Sequence, residues 1–106
     1  KGNDPGVVYG SLHFPGNSGG NAVSETTTVQ NVSEEFNNYT VEWSADRILF
    51  AVNDEVYHEF TNTSSTPFNN PFFLILNVAM GGTFGGDVDP AFTESTMEVD
   101  YIRVYQ

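Results

Sequence analysis

Apolar and polar residues alternate along this chain in short runs, and each run stops at a cluster of Gly, Pro, Asn, Asp or Ser. Tyr39–Trp43 shows the pattern most cleanly: Tyr39, Val41 and Trp43 fall on one face, Thr40 and Glu42 on the other. Trp43 is therefore expected in a core. Ser44-Ala45-Asp46 reads as a turn, Arg47–Val52 as the next strand with Ile48, Phe50 and Val52 on one face, and Asn53-Asp54 as a tight turn into Glu55–Phe60. His58, just past that turn, is expected at the surface. Upstream, Val7–Phe14 alternates loosely and ends at the loop-forming run Pro15–Gly20, and Thr26–Val32 is a Thr/Val strand candidate. Phe72–Met80 is the most apolar stretch. Its β-branched and aromatic content, between Pro71 and Gly81, suits a strand buried on both faces better than a helix. Gly81–Pro90 is a Gly/Asp-rich loop, Ala91–Ser95 has room for one helical turn, and Met97–Tyr105 is a closing strand. About seven short strands, with no long helix, predict an all-β fold, an antiparallel β-sandwich.

Composition narrows the function classes. At 106 residues the chain has a one-domain length, and 39% hydrophobic residues with nine Phe against one Trp is a globular composition. Fourteen acids against three bases (Lys1, Arg47 and Arg103) give a formal net charge of −11. That balance repels phosphate backbones and anionic lipid, so neither nucleic acid nor a membrane surface is an expected partner. Neutral sugars and cations remain. The acids are scattered, as on an acidic solvated surface. The absence of Cys removes disulfides and thiolate chemistry. No apolar run approaches membrane-spanning length. The sequons at Asn31, Asn38 and Asn62 are expected by chance in so Asn- and Thr-rich a chain.

Spacing alone gives no complete chemical motif. Glycoside hydrolysis needs two carboxyl groups flanking the scissile bond. Glu98 and Asp100 share a strand face, but acids exposed on a terminal strand explain them as well. Asp87-x-Asp89 sits in a glycine loop and lacks the remaining ligands of a calcium loop. His13 and His58 have no zinc-binding spacing, and no Ser stands in a nucleophile-elbow setting. His13 lies at a strand end before a Gly-rich loop, which fits a cleft and a plain strand end equally.

Three stretches resemble glycoside hydrolase family 16. Phe36-Asn37-Asn38-Tyr39-Thr40-Val41-Glu42-Trp43-Ser44-Ala45-Asp46-Arg47-Ile48 is similar to the family's F-H-x-Y-x-x-E-W-x-x-D-x-I block. Pro71-Phe72-Phe73-Leu74-Ile75-Leu76-Asn77-Val78-Ala79-Met80-Gly81-Gly82 is similar to P-F-x-L-I-L-N-L-A-V-G-G, and Met97-Glu98-Val99-Asp100-Tyr101-Ile102-Arg103-Val104-Tyr105-Gln106 to the closing M-x-V-D-Y-V-R-V-Y-Q. They occur in family order and spacing, and the likeness is greatest to the laminarinase (endo-1,3-β-glucanase) branch. The resemblance implies a two-sheet, concanavalin A-like jelly roll whose concave sheet holds a β-glucan. It also implies a secreted protein and retaining hydrolysis by an E-x-D-x-x-E or E-x-D-x-E strand.

No such acidic triplet occurs in this sequence. In the family it precedes a segment like Gly2-Asn3-Asp4-Pro5, so residues 1–106 are expected to be the carboxyl-terminal part of one jelly-roll domain, with the catalytic strand upstream. The resemblance places Ser11, His13, Asn77 and Ala79 along the sugar groove, and Phe84 where family members often carry Trp. Period-two alternation puts Phe73, Ile75, Asn77 and Ala79 on one face, and an Asn there needs hydrogen-bond partners or a wet cleft. Asp100 matches a structural calcium ligand, but the family site also draws on residues this chain lacks. Three expectations follow: an inactive fragment of a retaining endo-β-1,3-glucanase, a non-catalytic β-1,3-glucan-binding module, or a half-sandwich that associates with itself or with a complementary half-domain.

Overall fold

A computed structural model of the chain describes residues 4–106. It is all-β: five strands in two antiparallel sheets, with two three-residue 3-10 turns and one four-residue helix. β1 (Val7–Leu12) pairs with β2 (Val23–Thr28). β3 (Tyr39–Trp43), β4 (Arg47–Val52) and β5 (Glu55–Thr61) form a meander. The 3-10 turns are Gly19–Asn21 and Pro67–Asn69, and the helix, α1, is Gly82–Gly85.

The turns explain the meander's register. Asn53 and Asp54 both take left-handed φ, 49° and 68°, as a two-residue hairpin turn with the right twist requires. The Asn53 side chain then clips the hairpin to the approach of β3: its Oδ1 accepts from the Asn38 N–H at 3.0 Å and its Nδ2 donates to Asn37 Oδ1 at 2.8 Å. At the β3–β4 turn, the Ser44 hydroxyl donates to Asp46 Oδ1 at 2.6 Å and accepts from the Arg47 N–H at 3.2 Å.

Buried positions follow the alternation. Leu12 from β1, Ile48 from β4 and Phe68 from the second 3-10 turn form the centre, packed by Phe14, Val23, Phe50 and Phe60. Phe14, Phe60 and Phe68 meet with ring centroids 5.5 to 5.9 Å apart, within the range for favourable aromatic pairs. Asn62, 3% exposed, closes this end: Nδ2 donates to Ser44 O at 2.8 Å and to Asn69 Oδ1 at 3.1 Å, and Oδ1 accepts from the Thr66 hydroxyl.

The two sheets meet at Gly10. A Cβ there would stand 2.9 Å from both Phe50 Cγ and Tyr57 Oη, so only glycine lets β1 approach this closely. The approach depends on a bulge. Phe50 pairs with His58 while Ala51 pairs with Val56, so Tyr57 is the extra residue. Desolvation there raises the Tyr57 phenol above its ordinary pKa. His58 is not at the surface as expected: it is 4% exposed, stacks on Phe50 at 5.1 Å, and its Nδ1 lies 2.9 Å from Gly10 O. The bulge turns its ring inward, where the Nδ1–H donates to the Gly10 carbonyl.

Two expected strands carry no ladder. Residues 72–80 and 97–105 have no strand partner among the described residues, and Phe73 and Tyr105 are 82% and 83% exposed. A strand needs a neighbour as well as a pattern, and none is in place beside these segments. Trp43 follows the same logic. It is not buried; it meets Phe72 edge-on at 5.5 Å and stays 46% exposed, because among the described residues no strand packs over its face of β3. The short helix forms at 82–85, not at 91–95, where Asp89 instead caps a turn by accepting from the Ala91 and Phe92 N–H groups.

Candidate functional site

β1 sorts its side chains by alternation. Gly10 and Leu12 point to the core, while Tyr9 and Ser11, and His13 just beyond the strand, point away from it. In the register with β2, Ser24 lies opposite Ser11 and Thr26 opposite Tyr9. The Ser24 hydroxyl donates to Ser11 Oγ at 2.8 Å. The outer face of this hairpin is thus a polar strip of hydroxyls with an exposed imidazole at its end.

α1 supplies the aromatic. Gly81, Gly82 and Gly86 take φ of 72°, 72° and 74°, which a residue with a Cβ rarely adopts. The glycines fold the chain back so that Phe84 meets Tyr9 edge-on, with centroids 5.2 Å apart and planes at 70°. Phe84 remains 58% exposed. Ser11 and His13 thus share the outer face of the β1 hairpin with Tyr9, the residue that Phe84 meets. Asn77 and Ala79 are exposed on the unpaired 72–80 segment, and no hydrogen bond or ring contact joins them to Ser11 or His13.

Sequence reasoning missed Tyr9 and Ser24. Period-two alternation from Ser11 and His13 was enough to find Tyr9. Ser24 was hidden because the second strand starts at Val23, not Thr26, and register is a property of the pair rather than of either sequence.

The acids do not gather. No group of three or more His, Asp or Glu side chains stands close enough to hold a metal ion among the described residues. Asp100 is exposed and offers one carboxylate where calcium takes six to eight oxygens, so the residues present do not fit a complete site.

The model of glycosyl hydrolases family 16 matches residues 1–103, and the chain belongs to that family. It is 34% identical to the "Beta-glucanase" of Rhodothermus marinus, over 97% of this chain and 41% of that protein. It is 33% identical to "Glucan endo-1,3-beta-glucosidase A1" of Niallia circulans, over 100% of this chain and 18% of that protein. It is also 33% identical to the "Keratan-sulfate endo-1,4-beta-galactosidase" of Sphingobacterium multivorum, over 98% of this chain and 26% of that protein. The chain thus spans less than half the length of these relatives. Two of them carry different substrates in their names at equal identity, so the degree of likeness does not choose the sugar. No solved structure matches the chain.

Proposed function

We propose that residues 1–106 are the carboxyl-terminal part of a secreted, retaining endo-β-1,3-glucanase, and that they supply part of its glucan groove but none of its cleaving carboxylates. The observation that carries this is the outer face of β1. Tyr9, Ser11 and His13 stand in a row, with Phe84 against Tyr9 and Ser24 bonded to Ser11, an arrangement of aromatic surface and hydroxyls suited to a pyranose. Retaining hydrolysis needs an acid and a nucleophile about 5–5.5 Å apart, and the E-x-D-x-x-E order that would supply them is absent from the sequence. In a longer chain the catalytic strand would lie beside β1, bringing Asn77 and Ala79 into the same groove, and a structural calcium would take Asp100 together with oxygens from that added part.

The test separates binding from cleavage. The purified chain is expected to release no reducing sugar from laminarin, yet to give measurable heat on titration with laminari-oligosaccharides at millimolar concentration, weakened several-fold by His13→Ala. Cleavage at a rate typical of the family overturns the non-catalytic reading. Absence of binding overturns the groove. Binding without cleavage would also fit the second reading, a glucan-binding module, and a companion segment that restores hydrolysis distinguishes the fragment from it.

A further inference from the structure

We propose that the free edge of β3 is a docking surface for a second copy of this chain, the two β3 strands pairing antiparallel about a two-fold axis at Val41. The surface lies on the other sheet from Ser11 and His13 and does not depend on the sugar groove.

β3 is the outer strand of the meander β3-β4-β5. Its hydrogen-bonding phase follows from the two ends of its ladder. The Asn53 N–H donates to Asn38 O and the Ser44 N–H donates to Arg47 O, both at 2.9 Å. In an antiparallel ladder bonded and non-bonded pairs alternate, so Asn38, Thr40, Glu42 and Ser44 turn their main-chain groups to β4. Tyr39, Val41 and Trp43 turn theirs outward, and among the described residues no strand pairs with that edge. The side chains of the same three residues are exposed on the inner face. A second copy of the strand answers both features. With Val41 opposite its twin, Tyr39 faces Trp43 of the other copy on either side of the axis, and each of these pairs exchanges two main-chain hydrogen bonds. The aromatic pairs are of the kind that stabilises cross-strand contacts. Charge permits the register as well. In a chain of net charge −11, β3 carries a single acid, Glu42, whose carboxylate is bonded to Arg47 Nη2 at 2.6 Å. Glu42 lies opposite Thr40 of the other copy, so no like charges are directly opposed. Phe72, edge-on to Trp43, extends the apolar face past the strand. A five-residue edge spans roughly 17 Å, too little by itself for the ~800 Å² per partner of a stable interface, so the dimer forms in a concentration-dependent way.

Sedimentation and amide exchange across a concentration series test this. The chain is expected to pass from monomer to dimer, and exchange of the Tyr39, Val41 and Trp43 amides to slow at least tenfold as it does, while Thr40 and Glu42 are protected at every concentration. Val41→Pro removes an outward N–H and none of the β3–β4 bonds, a position where an edge strand accepts proline. It should keep the denaturation midpoint of the dilute chain and weaken dimerisation at least tenfold, whereas Thr40→Pro, which cuts the ladder to β4, should lower the midpoint. If the proline at Val41 lowers the midpoint and that at Thr40 does not, the phase is reversed and the proposal falls. Val41→Lys serves if the proline variant does not fold: it reduces the net negative charge yet sets two like charges directly opposite each other, so dimerisation should still weaken. A monomer at every concentration overturns the proposal. So does protection of the three amides that is independent of concentration, which would put residues 97–105 of the same chain on the edge. Dimerisation unaltered by Val41→Pro, which would put the contact elsewhere, overturns it too.

Discussion

Gly10 is where a single hydrogen atom decides the packing of two sheets. An alanine methyl would stand 2.9 Å from Phe50 Cγ, close to the ring's own attachment, and 2.9 Å from Tyr57 Oη. Phe50 cannot simply swing away, because His58 stacks on it. Gly10→Ala is therefore expected to destabilise the fold by about 1–3 kcal/mol, the usual penalty for overpacking, read as a lower denaturation midpoint. A second residue-scale consequence concerns acid. The Ser44 hydroxyl, a backbone N–H and the nearby Arg47 charge hold the Asp46 carboxyl below its ordinary pKa. A carboxyl depressed in the fold adds stability above its unfolded pKa of about 3.9, and that stability is lost as pH falls through the lower folded value. Asp46→Asn should lower stability at neutral pH slightly and flatten its decline below about pH 4, measured as denaturation midpoint against pH. The group is fully exposed, so solvent screening keeps the effect small.

At the scale of elements, the chain was legible wherever a strand's partner is its neighbour in sequence. β3, β4 and β5 fall where alternation and the Asn53-Asp54 turn put them, because a hairpin's register is fixed locally. β2 was displaced by three residues at its start, since its partner lies across a long loop and a run of Thr has no strong face to fix it. His58 and Trp43 were misjudged for opposite reasons. A bulge, invisible in composition, turned His58 inward, and the cover expected for Trp43 is not there. In the site, the strand that carries Ser11 was readable, but the fold-back that brings Phe84 to Tyr9 was not, because glycine φ values follow from tertiary placement. The hairpin itself offers a test. Asp54 holds φ 68° without the side-chain bonds that Asn53 makes. Glycine at that position meets no Cβ penalty, and Asn-Gly is the favoured pair for this turn. Asp54→Gly should raise stability by up to about 1 kcal/mol, whereas Asn53→Gly should gain nothing, because it gives up two hydrogen bonds.

At the scale of the molecule, the exposed apolar segments govern behaviour. The Cα radius of gyration is 15.3 Å, against about 13 Å for a compact domain of roughly this length. The excess goes with residues 72–80 and 97–105, which carry Phe73, Leu74, Ile75, Val104 and Tyr105 at 66–83% exposure. Unpaired segments of this composition present both apolar side chains and free backbone groups, the two features that recruit another strand. A second copy of the chain is expected to occupy them. The net charge of −11 opposes association between copies, and salt screens that repulsion while leaving apolar burial intact. Light scattering should therefore give a mass above that of a monomer that rises with salt as well as with protein concentration, and Ile75→Lys with Val104→Lys should return the chain toward a monomer. Were charge-mediated contacts responsible, salt would act in the opposite direction, so a falling mass with added salt, or a monomer at every concentration, sinks the proposal.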